Sequence, residues 1–234
     1  MRDPLENIVI GNFLYGLGLS MGQRAGTRAP TGCVNLLQQT PMDRPLGDVY
    51  IRFPGAVRLF EFKRASADKT KESRKLFVLQ AALKRRPDLR KLSQGLHWYV
   101  ETKADRPEFH FGARPYLDMH ERKEPELDFA ASVKEVVDQA LSSGPVADMA
   151  LVQEYLDAVA RFAGKKGGTS SGMLVAIDQA GGIRWVAVDD VRDLRSTPRQ
   201  LIREMQTEQE RMAALSRAPQ RDLGFERDGP TFDR

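Results

Sequence analysis

The sequence predicts an α/β fold, a sheet flanked by helices, from three features. Leu5, Val9, Phe13 and Leu17 recur at the spacing of one helix face. Val49 to Phe53 and Leu59 to Lys63 alternate with period two on either side of Pro54-Gly55, as the strands of a hairpin do. Leu76, Leu79 and Leu83 then return to helical spacing, ahead of two aromatic-rich runs, Leu96 to Thr102 and Glu108 to Ala113, that read as strands. The order is helix, two antiparallel strands, helix, two strands, with helical patterns set among strands as in α/β proteins.

Asp3 is placed to cap the first helix, with Pro4 at its first position and Glu6 completing a capping box. Gly11, Gly16, Gly18 and Gly22 lower its helix propensity, which predicts a frayed end or close packing on another element. Arg24 to Pro30 reads as a basic loop, Val34 to Gln39 as a short helix, and Pro41 to Gly47 as the lead into the hairpin. Ala65 to Asp68 is a loop. The next helix runs to about Arg86, with Phe77 beside its leucines, and Pro87 ends it or starts the next turn. Ala104 to Pro107 joins the last two strands. Beyond them, Leu127 to Leu141 and Val146 to Phe162 are amphipathic, and the short Ser142 to Pro145 link predicts an antiparallel pair. Gly164 to Gly172 is a Gly/Ser/Lys loop, and Met173 to Ile177 with Ile183 to Val188 form a hairpin around Ala180-Gly181-Gly182. Thr197 caps a helix from Pro198 to about Leu215, and the polar chain beyond Arg217 reads as disordered or partner-dependent. The expected division is a core over 1–122, a helical and β-hairpin extension over 123–216, and a tail over 217–234.

A chain of 234 residues with 41% hydrophobic content can build a full core. The single cysteine, Cys33, excludes an internal disulfide and a cysteine-based zinc site. No apolar run approaches membrane-spanning length and the start lacks a secretion pattern, so the expected location is cytoplasmic, without a membrane partner. Net charge is +4, unevenly spread. From Glu61 to Lys91 there are eleven Lys or Arg against four Asp or Glu, an excess of seven positive charges that suits a phosphodiester backbone.

The hairpin carries the chemistry. A loop centred on Pro54-Gly55 pairs Phe53 with Ala56, Val49 with Phe60 and Asp48 with Glu61. The apolar faces then coincide, and two carboxylates stand opposite each other, roughly 5 Å apart at Cβ. Like charges so placed are kept if a cation sits between them or if one is protonated. Asp48 and Glu61 offer hard oxygen ligands for Mg²⁺ or Mn²⁺, with the Phe62 carbonyl as a third. Lys63 projects from the same face as Glu61, where it would orient a water or meet a developing negative charge. Arg64, Lys69, Lys71 and Arg74 would hold flanking phosphates.

This pattern resembles the PD-(D/E)XK nuclease superfamily over about Asp3 to Phe111. Asp48 matches the motif aspartate, and Glu61 with Lys63 matches Glu-x-Lys. Glu6 matches an acidic residue that many members carry on the first helix, and Gln80 a glutamine that some place on the following helix. The residue before Asp48 is Gly47 where the family has proline; Pro45 lies further upstream. The resemblance implies a restriction-endonuclease-like mixed sheet flanked by helices. It implies Mg²⁺- or Mn²⁺-dependent hydrolysis of nucleic acid, DNA ahead of RNA, in bacterial defence or DNA processing. The alternative is a non-catalytic subunit that binds nucleic acid, or a protein partner through the C-terminal helix and tail.

Each residue also has a plainer reading. Asp48 begins a strand, Glu61 and Lys63 form an ion pair on a sheet face, Glu6 serves the cap, and Gln80 lies on a helix surface. His97, His110 and His120 have no zinc spacing, and Lys165-Lys166-Gly167-Gly168 lacks the Walker order. Trp98, Tyr99, Phe109 and Phe111 suit core packing better than base stacking.

Overall fold

Helix α1 (Glu6–Ala25) opens the fold and runs into a single 3₁₀ turn. Strands β1 (Gly32–Leu36), β2 (Val49–Phe53) and β3 (Ala56–Arg64) follow. Helices α2 (Thr70–Ala82) and α3 (Pro87–Leu96) lead to β4 (His97–Asp105) and β5 (Glu108–Pro115). Then come α4 (Phe129–Leu141), α5 (Met149–Phe162), β6 (Gly172–Ile177) and β7 (Ile183–Val188). The computed structural model describes residues 4–28, 30, 32–37, 47–105, 108–121, 126–142, 148–162, 172–177, 183–188 and 207. The Gly164–Gly172 loop (save Gly172), the Pro198–Leu215 helix (save Thr207) and the tail expected from sequence lie outside these residues.

The strands form one sheet in the order β5-β4-β3-β2-β1-β6-β7. Five of them, β5 to β1, make a mixed open sheet, and β6-β7 continue it beyond β1. β3 and β4 are parallel and the other neighbours antiparallel. A parallel pair needs a crossover, and α2 with α3 supplies it.

Both sheet faces are buried. On one, Val49, Ile51, Phe60, Phe62, Val100 and Phe111 meet the inner faces of α1 and α4. Phe13 of α1 sits among Phe60, Phe62, Phe111 and Phe129, with ring centroids 5.2, 5.8, 6.0 and 5.9 Å away. Gly16 makes the α1–α4 approach feasible, since a Cβ there would meet the Phe129 ring at 3.3 Å. On the other face, Tyr50, Val57, Leu59 and Tyr99 meet Leu76, Leu79 and Leu83, then Leu89 and Leu96, and the inner face of α5.

The hairpin has the register expected of its two-residue turn: Phe53 pairs with Ala56 and Val49 with Phe60. Its tip abuts α4, where a Cβ on Gly55 would lie 2.0 Å from the Gln139 carbonyl oxygen. Gly55→Ala is therefore expected to destabilise the protein by about 1–3 kcal/mol through overpacking, read as a lowered midpoint in urea with unchanged slope.

Several expectations are corrected. Residues 32–36 form a strand where a helix was expected from Val34. Antiparallel pairing with β2 on one side and β6 on the other outweighs the helix preference of Leu36 and Leu37. Helix α1 starts at Glu6, capped by Leu5 without a side-chain bond, so Glu6 is not the closing residue of a capping box. Helices α4 and α5 do not pair, because each covers a different face of the sheet. Phe77 is 73% exposed, turned away from Leu76 and Leu79. Tyr99 and Phe111 are core residues as expected, whereas Phe109 is exposed.

His97 is buried between Tyr155, whose hydroxyl lies 2.9 Å from Nδ1, and Tyr116, whose ring stacks on it at 4.1 Å. Burial, and then the positive charge of Lys75, push its pKa down to about 3. The unfolded chain takes up a proton near pH 6.5 and the folded one does not, so this histidine removes stability as pH falls from about 6.5 toward 3. His97→Gln should flatten that acid limb in urea titrations. An unchanged acid limb would assign it to other groups.

Candidate active site

The site forms where the hairpin meets the start of α2. Asp48 lies one residue before β2 and Glu61 one residue past Phe60, the last partner in the β2–β3 register, and both are buried, at 5% and 4% exposure. Asp48 is held firmly. Its N–H donates to the Phe60 carbonyl at 2.9 Å, its carbonyl accepts from Leu37 N–H at 2.8 Å, and its Oδ2 accepts from Phe62 N–H at 2.6 Å. In an extended strand a residue's N–H and C=O point to the same side. The Phe62 carbonyl thus leaves β3 on the edge where Asp48 sits.

Gly47 explains the missing proline. Its φ is +122°, where proline, fixed near −65°, cannot go. A Cβ there would lie 3.0 Å from the Phe60 carbonyl oxygen and 3.3 Å from Glu61 Oε2. Gly47→Ala is therefore expected to destabilise the protein by about 1–3 kcal/mol through backbone strain, read as a lowered midpoint in urea.

Glu61 is the hub. Lys63 Nζ lies 2.8 Å from its Oε1, and Lys75 Nζ of α2 lies 3.8 Å from the same atom. Lys63 Nζ is also 3.9 Å from Glu6 Oε2, so α1 contributes an acid from its first turn. Lys75 is shared with the buried Glu72 at 2.9 Å, and the Tyr116 hydroxyl donates to Glu72 Oε2 at 3.1 Å. Burial, and then the Asp48 carboxylate, push the Glu61 carboxyl up to about 8 against the pull of Lys75 and Lys63. Burial alone would lower the Lys63 ammonium; the Glu61 and Asp48 carboxylates outweigh it and raise its pKa. Burial likewise works to raise Glu72, but Lys75 beside it, with Lys63 and Tyr116, holds it below the usual carboxylate range.

Asp48, Glu61, Lys63 and Glu6 are thus brought to one place, with Phe62 supplying backbone between them. Gln80 is not: it lies more than a turn beyond Lys75 on α2, and its amide donates to the Leu117 carbonyl at 3.0 Å. Arg64 is half-buried, and Lys69 is ion-paired to Glu101, which Arg114 also approaches at 3.7 Å. Lys71 and Arg74 stand exposed on α2.

Comparison with known proteins found no matching family model, no similar curated protein and no similar solved structure.

Three residues beside the site escape a sequence reading of it. Glu72 and Lys75 sit among Leu76, Leu79 and Leu83 on the buried side of α2, and a carboxylate four residues before Leu76 on that face was the available signal. Tyr99 is the third. It pairs with Glu61 in the β3–β4 register, is fully buried, and its hydroxyl has no hydrogen-bond partner among the described residues. Burial and then Glu101 raise its pKa, so it remains a neutral donor beside the carboxylates.

The donor set suits a hard cation. Among the described residues no three His, Cys, Asp or Glu side chains are arranged as a ready-made ligand cluster. Two carboxylates and a carbonyl are nonetheless what Mg²⁺ takes from a protein while keeping several waters. A buried carboxylate raised to about 8 by burial and a like charge is one that a cation would restore to its ionised form.

Proposed function

We propose that this protein is a metal-dependent nuclease with a restriction-endonuclease-like core. The observation that carries the reading is the buried Asp48–Glu61 pair with Lys63 Nζ 2.8 Å from Glu61. Asp48, Glu61 and the Phe62 carbonyl would hold Mg²⁺ or Mn²⁺. Such an ion, when bound, lowers the pKa of a coordinated water and neutralises charge on a phosphate. Lys63 is held by Glu61 and Glu6 where it would orient the attacking water or meet the developing charge. A mixed α/β sheet with helices on both faces supports the reading at the level of fold class. The exposed cations of α2 suit a phosphodiester backbone, DNA ahead of RNA.

The test is a calorimetric titration with Mg²⁺ and Mn²⁺, Asp48→Ala as control, beside cleavage assays on single- and double-stranded DNA and RNA. Saturable binding lost in the control, with metal-dependent cleavage, supports the reading. A protein that binds no cation and cuts none of the four substrates is not a nuclease of this kind.

A second reading, a non-catalytic nucleic-acid-binding subunit, is favoured by Lys75. With Lys63 it gives Glu61 two internal ammonium neighbours, which can neutralise the carboxylates without a metal. Salt-dependent nucleic-acid binding without cation binding would select it.

A further inference from the structure

The outer side of α2 joins cations to an aromatic ring. At 100° per residue, Lys71, Arg74, Phe77, Val78 and Ala81 face away from the buried Glu72, Leu76 and Leu79, and Lys84 and Arg85 extend that side into the following 3₁₀ turn. All seven are exposed. Phe77, at 73%, is the most exposed large apolar side chain among the described residues, and Val78 beside it is 38% exposed. Four of the seven are cations and none is an acid. Asp68, in the loop before the helix, lies within electrostatic reach of Arg74, and its Oδ1 accepts from the Thr70 N–H and Oγ1.

A solvated helix face explains the four cations but not the phenyl ring, which gains nothing from water. A protein-docking face explains the ring, but four like charges around it would oppose any partner that is not anionic. A polyanion that also offers flat apolar faces satisfies both. Duplex nucleic acid keeps its base faces stacked inside, whereas a single strand presents them. Phe77 stands three residues from Arg74 and four from Ala81, within side-chain reach of the one and beside the small surface of the other. A base could lie on the ring while the flanking phosphate meets Arg74 or Lys71.

We infer that Phe77 is a base-stacking residue, and that the substrate class of this protein is single-stranded nucleic acid or a duplex with an unpaired stretch. This rests on the nuclease reading, since Glu72 and Lys75 on the opposite side of α2 tie the same helix to the Asp48–Glu61 site.

The experiment measures binding of the full chain, in EDTA so that nothing is cut, to a fluorescein-labelled 20-nucleotide oligo(dT) and to a duplex of the same length. Phe77→Ala is expected to weaken oligo(dT) binding about 10-fold with the slope against log salt unchanged, because stacking releases no counterions. Phe77→Tyr should restore it and Phe77→Leu should not. Arg74→Ala should weaken both ligands and reduce the salt slope by roughly 0.7–0.9. Duplex affinity should not change with Phe77→Ala. If wild-type protein binds the oligonucleotide but Phe77→Ala is silent, or Phe77→Leu rescues as well as Phe77→Tyr, the stacking role is wrong and the nuclease reading stands. If Phe77→Ala instead changes the oligomeric state in sedimentation while binding is untouched, the face is a protein interface and the inference falls. If wild-type protein binds neither ligand, the nucleic-acid reading itself fails. Phe77 is 73% exposed and belongs to neither core cluster among the described residues, so the variant is expected to keep the wild-type melting temperature, which guards the comparison.

Discussion

On the nuclease proposal, Lys63→Ala is expected to lower metal-dependent phosphodiester cleavage by roughly two to three orders of magnitude while leaving cation binding measurable. Lys63 is no carboxylate and would donate nothing to the ion, so its loss should fall on turnover. Glu61→Gln should produce the complementary defect. It keeps the side-chain shape but removes a ligand charge, so cation affinity drops and excess metal partly restores activity. The two variants should also differ in metal-free stability. Glu61→Gln relieves repulsion with Asp48 and leaves stability level or slightly higher. Lys63→Ala removes an ammonium that neighbours both Glu61 and Glu6, so it should lower stability. Equal loss of stability in both variants, with cleavage intact, would mark the cluster as a structural ion pair.

The metal-free protein should lose stability as pH rises from about 4.5 to 8, on the order of a few kcal/mol. Glu61 has its folded pKa raised from 4.5 to about 8. The folded state holds a proton that the unfolded chain gives up above pH 4.5. The contribution is therefore fully present below 4.5 and lost as pH passes 8. His97 has the opposite slope, but only below about 6.5, so the interval from 6.5 to 8 reports Glu61. Urea midpoints across that interval should fall for wild-type protein and stay flat for Glu61→Gln. On the nuclease proposal, saturating Mg²⁺ would flatten the wild-type profile too, since the ion would replace the proton as the partner of the carboxylate pair. A wild-type midpoint that does not move between pH 6.5 and 8 would place the Glu61 proton elsewhere.

The hairpin and the placing of Lys63 beside Glu61 were legible because they depend on local rules. Pro54-Gly55 and strict alternation determine which residues oppose one another, and Asp48 follows from the register by counting. The second half of the site was hidden because it depends on what packs against what. Glu72 and Lys75 read as part of a charged helix until α2 is laid on the sheet, where their side becomes the buried one. β1 was misread for the same reason: its strand form is decided by neighbours at distant positions in the chain, Ile51 and Leu174 among them. The α4–α5 arrangement could not be taken from the link length. A short connection can join helices side by side or carry the chain past a sheet edge. The better clue was Tyr50, Val57 and Leu59 on the supposed polar side of the hairpin, which required a second helical layer to cover them.

The closed turn at Pro54-Gly55 has a consequence for how the gene can vary. Most loops absorb an added or lost residue, but this turn is pressed against the Gln139 carbonyl and cannot lengthen outward. A one-codon insertion or deletion within Val49–Phe53 or Ala56–Phe60 would shift the pairing by one and exchange the two faces of that strand. An inverted β3 would turn Glu61 into the phenylalanine cluster around Phe13 and put Phe60 or Phe62 in its place; an inverted β2 would turn Asp48 there and put Gly47 or Val49 in its place. Across any set of descendants of this chain, the spacing from Asp48 to Lys63 should stay constant while the lengths of other loops drift. A functional variant with an odd change in that spacing would show that the register is held by something other than the turn.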